Sequence, residues 1–88
     1  MATDLVFTKE DGRYRATYTS AGDTVVQLAR VKGGKVDIYA YMEGMTPYPI
    51  FRSYSGQDFI CRVCVPAGMK VDVESETQVT SGKMLAEE

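Results

Sequence analysis

Residues 24–42 read Thr-Val-Val-Gln-Leu-Ala-Arg-Val-Lys-Gly-Gly-Lys-Val-Asp-Ile-Tyr-Ala-Tyr-Met. Two runs rich in branched and aromatic side chains flank a Gly-Gly pair. Such side chains suit the pleated surface of a strand, and paired glycines accept the positive φ angles of a two-residue turn. The stretch therefore predicts a hairpin of residues 24–32 against 35–42. With Lys32 opposite Lys35, Val31 meets Val36, Ala29 meets Ile38, Gln27 meets Ala40 and Val25 meets Met42 on the expected core face. On the reverse face Arg30 meets Asp37, Leu28 meets Tyr39 and Val26 meets Tyr41. That reverse face is too apolar for ordinary solvated sheet, so it predicts cover by another part of the fold or contact with a partner.

The same punctuation recurs on both sides of this unit. Asp11-Gly12 predicts a tight turn between a strand at residues 5–9 and one at 13–19. Glu10 then pairs with Arg13, Lys9 with Tyr14, Phe7 with Ala16 and Leu5 with Tyr18. Pro47 and Pro49 bias Thr46 and Tyr48 toward extended backbone. Residues 48–54 read either as an edge strand or as a loop lidding one end of the fold. Residues 58–65 predict a central strand, with Phe59, Cys61, Val63 and Val65 on one face. Residues 69–76 alternate, placing Met69, Val71 and Val73 inward and Lys70, Asp72, Glu74 and Glu76 outward on a solvated face. Residues 78–84 predict a last short strand anchored by Val79, and 85–88 a frayed tail.

The 88-residue length allows one domain, residues 1–88, with a single core. Val, Ile, Thr, Phe and Tyr far outnumber the three Leu, and no stretch carries helical periodicity over ten or more residues. The expected fold is an all-β, small antiparallel β-sandwich of seven to eight short strands, with a partly open β-barrel as the alternative closure. The charged faces of several strands favour the sandwich.

The composition also limits the chemistry. The chain has no His, which removes Ser-His-Asp and Cys-His nucleophilic sites. Cys61 and Cys64 stand in a CxxC spacing, but no second CxxC or His completes a metal set. In a strand they face opposite sides, so two reduced cysteines are expected. Asp72, Glu74 and Glu76 line one strand face, where nothing in the sequence suggests a raised carboxyl pKa. No catalytic residue, metal site or cofactor is expected. The formal charge is −2, with the final 17 residues acidic, and no basic concentration marks a nucleic-acid surface.

These readings lead to a non-enzymatic structural or assembly module. Its expected contact face comprises Val26, Leu28, Tyr39 and Tyr41 of the hairpin with Tyr48, Ile50, Phe51 and Tyr54 of the Tyr-rich segment. Tyr suits such a face because it gives rigid contact area plus a hydroxyl. The expected partner is another copy of the chain or a neighbouring structural protein, with no nucleic acid and no membrane. Without a secretory pattern after Met1, synthesis in the cytoplasm is expected, with incorporation into a bacteriophage virion as one setting. The alternative is a module binding glycans or small ligands, where Gln57 or Asp58 would supply polar groups beside the tyrosines. A single-stranded nucleic-acid binder using Arg13, Arg15 and Arg30 beside Tyr39 and Tyr41 is a lesser alternative.

Overall fold

The computed structural model describes residues 2–86, apart from the side chain of Ser55. Its strands are β1 (Ala2–Asp4), β2 (Thr8–Glu10), β3 (Arg13–Thr19), β4 (Thr24–Arg30), β5 (Gly34–Tyr41), β6 (Tyr48–Ser55), β7 (Asp58–Val63), β8 (Lys70–Ser75) and β9 (Val79–Ala86). They form a four-stranded sheet, β1-β9-β4-β7, and a five-stranded sheet, β2-β3-β8-β5-β6, with every pairing antiparallel. The two sheets enclose one apolar core as a β-sandwich, and neither closes into a barrel.

The expected β4–β5 hairpin does not form. The two strands lie in different sheets, and residues 31–33 carry the chain from one layer to the other. Gly34 has φ 159°, close to fully extended, so the glycines do not make a left-handed turn. Burial explains the preference. A hairpin leaves Val26 and Leu28 on an outer face. Crossing between layers instead turns them onto Val36, Ile38, Val71 and Val73, and all six are fully buried. Full burial of such side chains is worth about 1.5–3 kcal/mol each relative to exposure. The core face expected for the 35–42 strand is therefore present in Val36, Ile38 and Ala40 but not in Met42, which lies past the end of β5 and is exposed, whereas the face expected for β4 is inverted. Gln27 and Ala29 lie on the outer side, while Thr24, Val26, Leu28 and Arg30 are buried.

Arg30 consequently has a different role from the cross-strand pair with Asp37 read from the sequence. It is only 4% exposed, and its guanidinium donates to the carbonyls of Gly34 (3.1 Å) and Gly56. Its backbone N–H donates to Gln57 O at 2.9 Å. One side chain thus ties together the loops that leave both sheets at this end. At the other end Ser20 N–H donates to Met69 O (2.7 Å) and Gly68 N–H donates to Ser20 O (2.8 Å). Inside the core, Tyr18 Oη and Thr24 Oγ1 satisfy each other at 2.9 Å, which removes the penalty of burying two hydroxyls.

Of the first expected strand, residues 5–9, only Thr8 and Lys9 are in a strand, and β1 lies ahead of it. Residues 2–4 pair with β9, and residues 8–10 pair with β3. The turn between β2 and β3 is as expected: Asp11 and Gly12 have φ 50° and 77°, and Lys9 faces Tyr14 while Glu10 faces Arg13. The expected pairs Phe7–Ala16 and Leu5–Tyr18 are not formed, because residues 5–7 cross between sheets. Leu5 N–H donates to Gly82 O at 2.7 Å, and the Phe7 ring lies on Gly82. At the other terminus β9 continues to Ala86, with Leu85 opposite both Ala2 and Val25. Residues 85 and 86 are therefore strand, and 87–88 lie outside the described residues. β7 is an edge strand of the four-stranded sheet, not a central one, since its ladder partner is β4.

Candidate functional site

Residues 48–55 form β6, the outermost strand of the five-stranded sheet. The other terminal strands are β1 and β2 with three residues each and β7 with six, against eight in β6. Short edges offer few unpaired backbone groups to an incoming strand, so β6 is the most available edge. Its large side chains are exposed along its length: Tyr48 72%, Ile50 41%, Phe51 38% and Tyr54 77%. The loop before it adds Met42 and Met45, each 65% exposed.

The strand has two unlike halves. Ile38 pairs with Phe51 and Tyr39 with Pro49, so Ile50 is an extra residue in a bulge. Pro49 has no N–H to donate. Beyond the bulge, residues 51–55 run in regular register against Ile38 to Gly34. Phe51 and Ser53 lie opposite buried Ile38 and Val36 on the inner face, while Arg52 and Tyr54 take the outer face opposite Asp37 and Lys35. The Phe51 ring lies 5.8 Å from Phe59 of β7, tilted at 59°, which links the neighbouring edges of the two sheets.

Four of the eight residues expected at a contact face therefore sit together on β6. Val26 and Leu28 do not belong there: both are fully buried between the sheets. Tyr39 and Tyr41 occupy a third position, half-buried on the outer face of β5. Tyr41 Oη donates to Asp72 Oδ1 at 3.2 Å. Desolvation raises both phenol pKa values, with Asp37 adding to the effect at Tyr39 and Asp72 at Tyr41.

That outer face corrects the expectation for the acidic strand. Asp72 and Glu74 are 5% and 6% exposed, and Asp37 is 3% exposed, whereas Glu76 is exposed as expected. The register explains this. Arg15 lies opposite Glu74, Glu74 opposite Asp37, and Asp37 opposite Arg52. A row of cation, anion, anion and cation thus crosses four strands. Like charges opposite each other are destabilising, and here each carboxylate has an arginine on its far side. Arg15 Nη2 donates to Glu74 Oε1 at 2.6 Å, and Arg52 Nε donates to Asp37 Oδ1 at 2.7 Å. These hydrogen bonds are the leading cause of the raised guanidinium pKa of both arginines. Thr17 Oγ1 donates to Asp72 Oδ1 at 2.7 Å. The carboxylates are engaged structural acceptors. No sequence signal exposes them, because Arg15 and Glu74 are 59 positions apart.

The residues weighed for ligand chemistry do not converge. Arg13 and Arg15 do share the outer face with Tyr39 and Tyr41, but both cations reach Glu74. Gln57 lies at the Arg30 end, whereas Tyr41 and Tyr48 lead into the opposite loop. Cys61 and Cys64 are unbridged, the first half-buried and the second exposed, and burial pushes the Cys61 thiol up to about 11. Among the described residues no group of three His, Cys, Asp or Glu is placed to hold a metal ion. A shallow apolar groove of about 500 Å³ lies between Met42, Glu43 and residues 66–69 at the loop end. Among the described residues no helix is long and apolar enough to cross a membrane. Comparison with protein-family models, curated proteins and solved structures finds no match to this chain.

Proposed function

We propose that this chain is a non-enzymatic structural or assembly module, and that the β6 edge is its contact surface for another copy or a neighbouring structural protein. One observation carries the reading: the longest edge strand is also the one lined by Tyr48, Ile50, Phe51 and Tyr54, all exposed. An edge of that length with apolar and tyrosine side chains is a template for strand pairing. The engaged carboxylates and arginines of the five-stranded sheet favour a structural role for that face over binding of nucleic acid. A particle that repeats one small subunit, such as a bacteriophage head or tail, is the setting we propose for it.

Sedimentation velocity over a rising concentration series tests this reading. The wild-type chain is expected to self-associate. An Ile50→Lys/Tyr54→Ser variant, altered only at exposed positions, is expected to stay folded and lose at least tenfold in association. Wild-type protein that remains near 9.7 kDa throughout, with no association to lose, sinks self-assembly.

A further inference from the structure

We infer that a second copy of this chain docks β6 against β6 in antiparallel register, about a two-fold axis at Ser53, joining two five-stranded sheets into one. The inference rests on reading β6 as the contact and adds the partner and the register.

Three constraints select that register. First, the joined sheet must keep both cores on the same side, so inner-face residues meet inner-face residues. An isologous antiparallel pair then centres on one residue facing its own twin. Second, the Ile50 bulge and Pro49 interrupt the first half of the strand, which leaves residues 51–55 as the regular ladder. Third, side chains directly opposite must be compatible. Centring on Arg52 sets two arginines face to face and carries the ladder into the bulge. Centring on Tyr54 leaves only residues 53–55 paired within the strand. Centring on Ser53 uses all of 51–55 and places Arg52 opposite Tyr54 of the second copy, twice by symmetry.

The last pairing is chemically complementary. The Arg52 side chain is 57% exposed, while its Nε is held by Asp37 at 2.7 Å. Tyr54 is 77% exposed on the same outer face. A guanidinium fixed at one end and open at the other suits the face of an aromatic ring. Asp37 also neutralises each Arg52 as the two approach diagonally across the axis. Ser53 at the centre is small enough for two copies to meet.

Disulfide trapping of a Ser53→Cys variant tests the register, in a Cys61→Ala/Cys64→Ser background. A second background with Cys64→Ser alone keeps half-buried Cys61 in place, should the double replacement unfold the chain. Residues facing each other in an antiparallel pair lie about 4.5–5.5 Å apart at Cα, within disulfide reach. Under mild oxidation Ser53→Cys is expected to give covalent dimer at least tenfold faster than Ser55→Cys, whose twins lie four positions out of register. Mixed Arg52→Cys and Tyr54→Cys chains are expected to cross-link to each other. Self-association without preferential trapping at position 53 overturns the register and leaves the β6 reading standing. A chain that stays monomeric at every concentration before oxidation overturns both.

Discussion

Of the glycines at positions 12, 22, 34, 44, 56, 68 and 82, Gly82 has the least room for an added methyl group. It lies in β9 opposite Leu28, beneath residues 5–7 as they cross between the sheets. A Cβ built there falls 2.5 Å from Phe7 Cε1, 3.2 Å from Leu28 Cδ2 and 3.3 Å from Phe7 Cδ1. Gly82 is not among the residues with positive φ, so Ala is conformationally acceptable and only the space is missing. Overpacking of this kind costs roughly 1–3 kcal/mol. The entropy that Ala removes from the unfolded chain returns about 0.4–1 kcal/mol. The net expectation for Gly82→Ala is a loss of about 1–2 kcal/mol, or a fall in melting temperature of roughly 5–15 °C for a domain this small. Urea and thermal melts followed by circular dichroism measure it, with an unchanged m-value showing that the denatured state is not the cause. Phe7→Leu removes the obstructing ring edge. The Gly82→Ala/Phe7→Leu pair should lose at least about 0.5 kcal/mol less than the sum of its single substitutions. A neutral or stabilising Gly82→Ala, or strict additivity with Phe7→Leu, would refute the placement of Phe7 on Gly82 and with it the crossing of residues 5–7.

Other consequences follow from single contacts. Arg30→Met keeps most of the side-chain volume but removes the donors to the Gly34 and Gly56 carbonyls, and chemical denaturation should show a loss of about 1–3 kcal/mol. If the variant is as stable as the parent, the clamp is not structural. Tyr18→Phe leaves the buried Thr24 hydroxyl without its 2.9 Å partner, and the expected cost is about 1–2 kcal/mol. A combined Tyr18→Phe/Thr24→Val chain should recover part of it. Cys64 is exposed, whereas Cys61 is half-buried with its thiol pushed up to about 11. The thiolate is the reactive form, so iodoacetamide at pH 8 should label Cys64 well before Cys61, and Cys61 labelling should rise as pH approaches 11. Peptide mass spectrometry reads this order, and equal rates at pH 8 would contradict the burial of Cys61.

The strands were more legible than their partners. Asp11-Gly12 announced a turn whose flanking pairs are present, because that signal is local. The Gly33-Gly34 signal is equally local, yet the hairpin lost to tertiary burial. Both faces of residues 24–30 carry apolar side chains, Val25 and Ala29 on one and Val26 and Leu28 on the other. Periodicity therefore had no basis for choosing, and the larger pair went inside. The acidic face of β8 failed for a related reason. Alternation correctly set Asp72 and Glu74 outward, but their burial depends on β3 and β5 lying alongside, and no local pattern encodes that neighbourhood. That Tyr48, Ile50, Phe51 and Tyr54 fall on one exposed strand was partly legible: Pro47 and Pro49 bias the backbone toward extension, but an edge strand and a lidding loop both fit that signal. Val26 and Leu28 were misplaced together with the hairpin.

In the proposed assembly β6, alone among the four sheet edges of the described residues, becomes a paired strand when copies of the chain meet. Backbone hydrogen exchange at low and high protein concentration tests this, because an edge amide that points away from the sheet exchanges freely until a ladder partner covers it. Within residues 51–55, the alternate amides that point away from β5 are expected to slow by at least tenfold as concentration rises, while the amides of β1, β2 and β7 do not change. Protection that appears on another edge, or exchange in β6 that is the same at both concentrations, would contradict it.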